Sequence, residues 1–135
     1  MFRIKIVEPK KILLVDDDEM LAQLYSRKLA SGGYDVVTCK SGEEALGSLS
    51  TRIPDLLLLD VMMPRGMNGF DLMERLKEKE RWRTIPVILL SNLEAEKETG
   101  LAMGALEYIL KSKVTPEDVL QVVNKHFAPT PAPTQ

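Results

Sequence analysis

Acidic side chains stand at two places where short apolar runs of the sequence end. Asp16 and Asp17 close one run, and Asp60 closes another. If these carboxylates meet, two of them about 4 Å apart repel by roughly 4 kcal/mol at an effective dielectric constant of 20, so the cluster is unfavourable without a cation. Magnesium binds one or two protein carboxylates together with waters and phosphate oxygens, which leaves a further carboxylate available for chemistry. The three acids therefore predict a Mg²⁺ site.

A hydroxyl and an ammonium group close two further apolar runs, at Ser91 and Lys111. A carboxylate can act as a nucleophile toward phosphorus and form an aspartyl phosphate. Transfer of the phosphoryl group requires positive charge on its oxygens, which Lys111 and the metal would supply, and Ser91 would hydrogen-bond one oxygen. Each residue alone has an ordinary explanation as a turn, a cap or a surface group. Their occurrence together at the ends of four apolar runs favours phosphoryl-transfer chemistry.

The elements that must position these residues are five short strands, predicted from runs rich in Leu, Ile and Val. The runs cover residues 11–16, 34–39, 55–60, 86–91 and 106–110. Most are apolar at successive positions, which is typical of strands covered on both faces in a parallel sheet. Amphipathic stretches alternate with them, so we predict a single-domain α/β fold with a doubly wound parallel sheet. Ligands of such sheets bind at the carboxyl ends of the strands, where the site residues would meet.

Cap residues mark the starts of the first two predicted helices. The first begins after Asp18 as N-cap and ends at residues 31–33, which read Ser-Gly-Gly. The second opens with Ser41, and Glu44 three positions later completes the pattern of a capping box. The expected apolar stripe of the first helix consists of Leu21, Leu24, Tyr25 and Leu29, with Lys28 lying along it.

Three further helices are predicted later in the chain, and they differ in expected stability. One follows Gly69, and the last opens at Thr115 with a proline at its first helical position. The helix over residues 93–103 is rich in charged side chains and contains Gly100, so we expect it to be the least stable.

The composition, 44% hydrophobic and 28% charged over 135 residues, describes one soluble globular domain. A net charge of −2 without a basic stripe argues against direct nucleic-acid binding. Cys39 is the single cysteine, no apolar run is long enough to cross a membrane, and no signal peptide is visible, so we expect a cytoplasmic protein. We assign residues 1–10 to an N-terminal extension, 11–128 to the domain, and 129–135 to a Pro/Thr-rich tail or linker.

Four motifs along the chain form a specific set. They are ILLVDDDE at 12–19, LLLLDVMMP at 56–64 with Gly69 after it, the hydroxyl of Ser91, and EYILK at 107–111. Together they resemble the receiver domain of bacterial response regulators in two-component systems. The resemblance covers residues 11–127, nearly the whole chain. It implies a (βα)5 fold whose five-stranded parallel sheet has the order 2-1-3-4-5.

The resemblance also assigns a role to each residue of the site. Asp60 would be the phosphoacceptor, and Ser91 and Lys111 would contact the phosphoryl oxygens. The Mg²⁺ ion would be bound directly by Asp17, by Asp60 and by the backbone carbonyl of Met62, and through water by Asp16. Tyr108 would be the aromatic switch residue that changes rotamer with Ser91.

Four features depart from the usual pattern of this family. Ser112 stands where a proline after a cis peptide bond is usual. Because a cis bond before a residue other than proline costs roughly 2.5–4 kcal/mol, we expect this peptide bond to be trans. The position of Lys111 then depends on how the loop adapts. Asn92 replaces a small residue and would screen the phosphoryl group from water. The loop 64–69 is one residue longer than the commonest version, and Lys113 stands where an aromatic residue is common.

The function implied by the resemblance is a phosphorylation-controlled signalling switch. A sensor histidine kinase or a phosphotransfer protein would donate the phosphoryl group, and the domain would catalyse its own phosphorylation and slow dephosphorylation. The downstream effector is not identified, and homodimerisation is left open. The main alternative is a pseudo-receiver, a protein-interaction module that works without phosphorylation. A phosphatase with an aspartyl nucleophile fits less well because Met62 stands where a second acid is usual, and the lone His126 is not a credible phosphodonor.

Overall fold

A computed structural model of the protein describes residues 8–127. The tail predicted for 129–135 and residues 1–7 of the predicted N-terminal extension lie outside this described part. Within it, no helix combines the length and the apolar character needed to cross a membrane.

Five strands form one parallel sheet. They are β1 (Lys11–Val15), β2 (Asp35–Cys39), β3 (Leu56–Asp60), β4 (Val87–Ser91) and β5 (Glu107–Leu110). Their order across the sheet is β2-β1-β3-β4-β5, and every neighbouring pair is parallel. The predicted α/β fold class, the strand positions to within a residue and the order 2-1-3-4-5 are therefore confirmed.

Helices cover both faces of this sheet. They are α1 (Glu19–Ser31), α2 (Gly42–Thr51), α3 (Gly69–Leu76), α4 (Glu80–Arg83), α5 (Lys97–Ala102) and α6 (Pro116–Phe127), with 3-10 turns at Glu94–Glu96 and Lys111–Lys113. The short α4 was not predicted, because four residues are too few to show a helical period. Its Trp82 is buried and donates its indole N–H to the carbonyl of Leu49 at 3.4 Å.

The two central strands carry the hydrophobic core on both of their faces. All residues of β3 and β4 are buried, as their continuous apolar runs predicted. One apolar cluster packs beneath α2 and α3, and the other packs beneath α1 and α6. Complete burial of a leucine side chain contributes about 1.5–3 kcal/mol, so the four leucines of β3 fix the strand whose end carries Asp60.

The buried stripe of α1 differs from the predicted one. The residues facing the core are Ala22, Tyr25 and Leu29, whereas Leu24 is 48% exposed. The prediction was right for Tyr25 and Leu29, and Leu21 is partly buried against the core, but Leu24 was wrong. Ala22 was left out because a small side chain adds little to a hydrophobic pattern. The predicted N-cap was right, since Asp18 accepts a hydrogen bond from the N–H of Leu21 at 3.0 Å.

The start of α2 forms only half of the predicted capping box. The Ser41 hydroxyl accepts from the N–H of Glu44 at 3.1 Å, but the Glu44 carboxylate accepts from the N–H of Lys40 rather than from Ser41. A complete box instead starts α3, where Asn68 and Asp71 each accept from the backbone N–H of the other. The second box begins α3 directly after the loop that follows Asp60.

Two glycines provide a matched test of packing near this loop. A Cβ atom at Gly69 would lie 2.4 Å from the carbonyl oxygen of Asp60, whereas a Cβ at Gly47 in α2 would meet nothing within 4 Å. Gly69→Ala is therefore expected to lower the free energy of unfolding by about 2–3 kcal/mol. Gly47→Ala is expected to raise it by about 0.5–1 kcal/mol, because alanine has the higher helix propensity. Urea unfolding measures both; equal effects would contradict the steric argument.

Candidate functional site

Three carboxylates meet at the carboxyl edge of the sheet. Because β1 and β3 are neighbours, the residues that follow Val15 lie beside Asp60 at the end of β3. One carboxylate oxygen from each of Asp16, Asp17 and Asp60 lies within 4.8 Å of the others. Asp16 and Asp60 are buried and Asp17 is exposed, so the cluster has a closed inner side and an open outer side.

Lys111 reaches this cluster from the end of β5. Its ammonium group lies 2.8 Å from Oδ2 of Asp16 and 3.3 Å from Oδ1 of Asp60, and its side chain is only 8% exposed. The described residues contain no cis peptide bond, so the bond before Ser112 is trans, as predicted. The trans loop nevertheless brings the Lys111 ammonium into contact with both acids, which settles the placement that the Ser112 departure had left open.

Burial and charge determine the protonation equilibria of this group. Burial raises the pKa of Asp60 to about 7; the nearby Lys111 ammonium opposes this rise, and the charge of Asp16 adds to it. For Lys111, burial disfavours the charged form, but the hydrogen bond and charge of Asp16, together with Asp60, outweigh it and raise its pKa. One buried ammonium thus offsets only part of the negative charge of three acids.

The carboxylate cluster fits a magnesium ion by the chemistry of its donors. Mg²⁺ prefers oxygen ligands, takes one or two carboxylates and keeps other positions for water and phosphate. Asp17 and Asp60 offer two such oxygens close together, and Asp16 offers a third. The Asp16 carboxylate also accepts hydrogen bonds from the N–H of Asp18 at 2.9 Å and from Lys111, so it is already partly neutralised by the protein. These partners suit the predicted indirect contact of Asp16 better than a direct one.

The loop after β3 returns to the cluster through Met62. Its backbone N–H donates to Oδ1 of Asp60 at 3.2 Å, which orients the carboxylate, while its side chain is half exposed. The metal role of the Met62 carbonyl stays a prediction.

The hydroxyl groups of Ser91 and Tyr108 both form hydrogen bonds with Leu93, a residue that was not predicted to belong to the site. The Ser91 hydroxyl oxygen, fully buried at the end of β4, accepts from the N–H of Leu93 at 3.0 Å. The Tyr108 hydroxyl donates to the carbonyl of the same Leu93. Leu93 therefore connects the two predicted switch residues through its backbone, for which no side-chain signal exists in the sequence. Asn92, the residue after Ser91, is exposed.

Comparison with known proteins places the chain among receivers. The family model described as response regulator receiver domain matches residues 12–124. The phosphate regulon transcriptional regulatory protein PhoB of Rhizobium meliloti is 40% identical over 114 residues, which are 83% of this chain and 50% of that protein. The alkaline phosphatase synthesis regulatory protein PhoP of Bacillus subtilis is 39% identical over 76% of this chain and 42% of its own length. The chain thus spans about half the length of these curated relatives or less.

A solved structure agrees with this likeness over nearly its whole length. The crystal structure of a response regulator, called putative, from Chloroflexus aurantiacus has a TM-score of 0.79 and 32% identity, covering 87% of this chain and 96% of that chain.

Proposed function

Because the chain belongs to the response regulator receiver domain family, we propose that it is a signalling switch that accepts a phosphoryl group on Asp60. The donor would be a phosphohistidine of a sensor histidine kinase or of a phosphotransfer protein. The observation that carries this proposal is the contact of Lys111 with both Asp16 and Asp60, within a cluster that also includes Asp17. A set of three acids and one ammonium suits phosphoryl transfer, which depends on positioned charge.

In the forward reaction, a carboxylate oxygen of Asp60 attacks phosphorus in line with the bond to the donor nitrogen. That bond breaks, its electron pair returns to the imidazole ring, and solvent protonates the ring as needed. In the slow dephosphorylation that resets the switch, a water molecule attacks phosphorus and the bond between phosphorus and the Asp60 oxygen breaks. Inorganic phosphate leaves, and the proton of the attacking water passes to the phosphate or to solvent. Asp60 then regains its free carboxylate.

Lys111 and Ser91 would contact the transferred group. The Lys111 ammonium lies 3.3 Å from an oxygen of Asp60, so it is within reach of a phosphoryl group attached there, and its bond to Asp16 holds it in place. The Ser91 oxygen accepts from Leu93, which leaves the hydroxyl proton free to donate to a phosphoryl oxygen. We infer that this donation would change the Leu93 contact and, through it, the environment of Tyr108.

Asp17, Asp60 and the backbone carbonyl of Met62 would hold the Mg²⁺ ion directly, and Asp16 would hold it through water. When bound, the ion supplies positive charge to the phosphoryl oxygens and offsets the repulsion among the acids. The assignment of residues 1–10 as an N-terminal extension, 11–128 as the receiver domain and 129–135 as a Pro/Thr-rich tail or linker belongs to the same proposal. Binding of a downstream effector, which the sequence does not identify, and formation of a homodimer are part of the same proposal.

Incubation with a small phosphodonor and Mg²⁺, followed by intact-mass measurement, tests the proposal. We expect the addition of one phosphoryl group, and none when EDTA replaces Mg²⁺. A folded protein that gains no mass under these conditions would instead support a phosphorylation-independent interaction module.

The lifetime of the phosphorylated form is expected to depend on Asn92. This exposed side chain follows Ser91 directly, and we expect it to border the approach of water to the Asp60 phosphoryl group. Asn92→Ala should therefore speed dephosphorylation severalfold, which corresponds to about 1 kcal/mol of activation free energy. Ser112→Pro is the control, since it should alter phosphoryl uptake through Lys111 more than decay. Unchanged or slower decay in a folded Asn92→Ala protein would contradict the shielding argument.

A further inference from the structure

The loop that follows Asp60 is held at its tip by a residue of α2. The Glu43 carboxylate accepts a hydrogen bond from the backbone N–H of Met67 at 3.2 Å. Gly66, the residue before, has a φ of +79°, and a Cβ atom added there would lie 2.7 Å from Oε1 of Glu43. The left-handed backbone of Gly66 thus brings the Met67 N–H to the carboxylate, which only glycine allows without a steric penalty.

A second contact at the same tip involves the first residue of α2. The Met67 side chain packs so closely on Gly42 that a Cβ atom there would lie 2.9 Å from both Cβ and Sδ of Met67. The tip of the loop is therefore fitted to two consecutive residues of the first turn of α2, one through a hydrogen bond and one through packing.

The other end of the loop is anchored at the sheet. The N–H of Gly69 donates to the carbonyl of Val61 at 3.0 Å, and Met63 is buried. Between the two anchors the chain faces a groove of about 570 Å³ that is lined by Asp17, Met63, Pro64 and Arg65, among others. The two tip contacts therefore act together with the buried Met63 and the Gly69 hydrogen bond to limit the displacement of the loop on the side of this groove.

We propose that Glu43 is a positioning residue for the metal site. The carboxylate holds the Gly66–Met67 peptide and so limits where the preceding part of the loop can lie, including Met62, whose carbonyl would bind the ion in the proposed site. This inference rests on the proposed function, because it concerns the same Mg²⁺ site. It adds a residue of α2, distant in sequence from every ligand, to the groups that determine metal affinity.

Paired substitutions separate the hydrogen bond from the charge. Glu43→Gln removes the charge but keeps a side-chain oxygen that can accept from Met67, whereas Glu43→Ala removes both. Loss of a group that hydrogen-bonds a metal ligand directly typically costs about 10–100-fold in affinity. Glu43 acts one step further from the ligands, so we expect Glu43→Ala to bind Mg²⁺ severalfold, up to about tenfold, more weakly than Glu43→Gln. The matched pair Glu44→Gln and Glu44→Ala alters the next residue, whose carboxylate accepts from Lys40 and not from the loop, and should show no such gap.

Calorimetric titration with Mg²⁺ measures the affinities, and amide hydrogen exchange of the metal-free variants reports the loop directly. We expect the Met67 amide to exchange faster in Glu43→Ala than in Glu43→Gln. Equal Mg²⁺ affinities in the two Glu43 variants, whether or not the Met67 amide exchanges faster, with normal binding by the original protein, would overturn the inference alone. If the original protein bound no Mg²⁺, the proposed function would fail with it.

Discussion

The Asp60→Asn variant is expected to take up no phosphoryl group from a small phosphodonor in the presence of Mg²⁺. An amide is not a nucleophile toward phosphorus, and the substitution also removes one oxygen ligand of the metal cluster. Because the new side chain has nearly the same shape, the fold should persist, and the loss should be complete rather than partial. Intact-mass measurement after incubation distinguishes one added phosphoryl group from none.

Two other acids serve as comparisons for this experiment. Asp17→Asn should also fail to be labelled at low Mg²⁺, since it weakens the metal site while leaving Asp60 intact. Asp35→Asn should be labelled normally, because Asp35 starts β2 at the opposite edge of the sheet and pairs with Arg52. Undiminished labelling of Asp60→Asn would show that another residue accepts the phosphoryl group.

The same substitution is expected to stabilise the metal-free protein above neutral pH. Burial raises the pKa of Asp60 from 3.8 to about 7. Between these values the unfolded chain loses the proton while the folded protein keeps it, so the contribution of Asp60 to the free energy of unfolding falls as pH rises. A rise of roughly three pH units corresponds to about 4 kcal/mol, which the folded protein loses in full only above pH 7. Asn carries no charge and avoids this loss.

Thermal or urea unfolding in EDTA at about pH 8 and about pH 5 measures the effect. The stabilisation by Asp60→Asn should be several kcal/mol at the higher pH and smaller at the lower one. Asp17→Asn should stabilise less, because Asp17 is exposed and its charge is screened by water. Added Mg²⁺ should stabilise the original protein more than either variant. An Asp60→Asn protein no more stable than the original at the higher pH would show that burial and the nearby charge of Asp16 do not destabilise the Asp60 carboxylate.

The sequence was sufficient for the strands and for the chemical types at their ends. Continuous apolar runs of about five residues are a local signal of strands buried on both faces, and the runs that end at Asp60 and Ser91 became the fully buried β3 and β4. Caps such as Asp18 are also local, because a side chain there bonds an N–H three residues away. The strand order was available from family likeness and not from the periodicity itself.

Local patterns were insufficient where two signals nearly balance or where the element is short. The predicted core face of α1 included Leu24 and left out Ala22, and both residues can share a helical face with Tyr25 and Leu29. The helix around Trp82 has too few residues for a period. In both cases packing of buried side chains, Ala22 in α1 and Trp82 in α4, decided the outcome, because most of the stability of a helix in a protein comes from tertiary packing and not from intrinsic helix propensity.

Only the tertiary structure decided how the site is assembled. The Lys111–Asp16 contact joins residues 95 positions apart. The Ser91 and Tyr108 hydroxyls both bond backbone atoms of Leu93, to which its side chain contributes nothing. The Glu43–Met67 hydrogen bond joins α2 to a loop 24 positions away. Adjacent Asp16 and Asp17 differ fully in burial although they are the same residue type. The physical reason is that distances, burial and hence pKa depend on which strands are neighbours and how loops close between them, whereas residue type and spacing record only what each segment can do by itself.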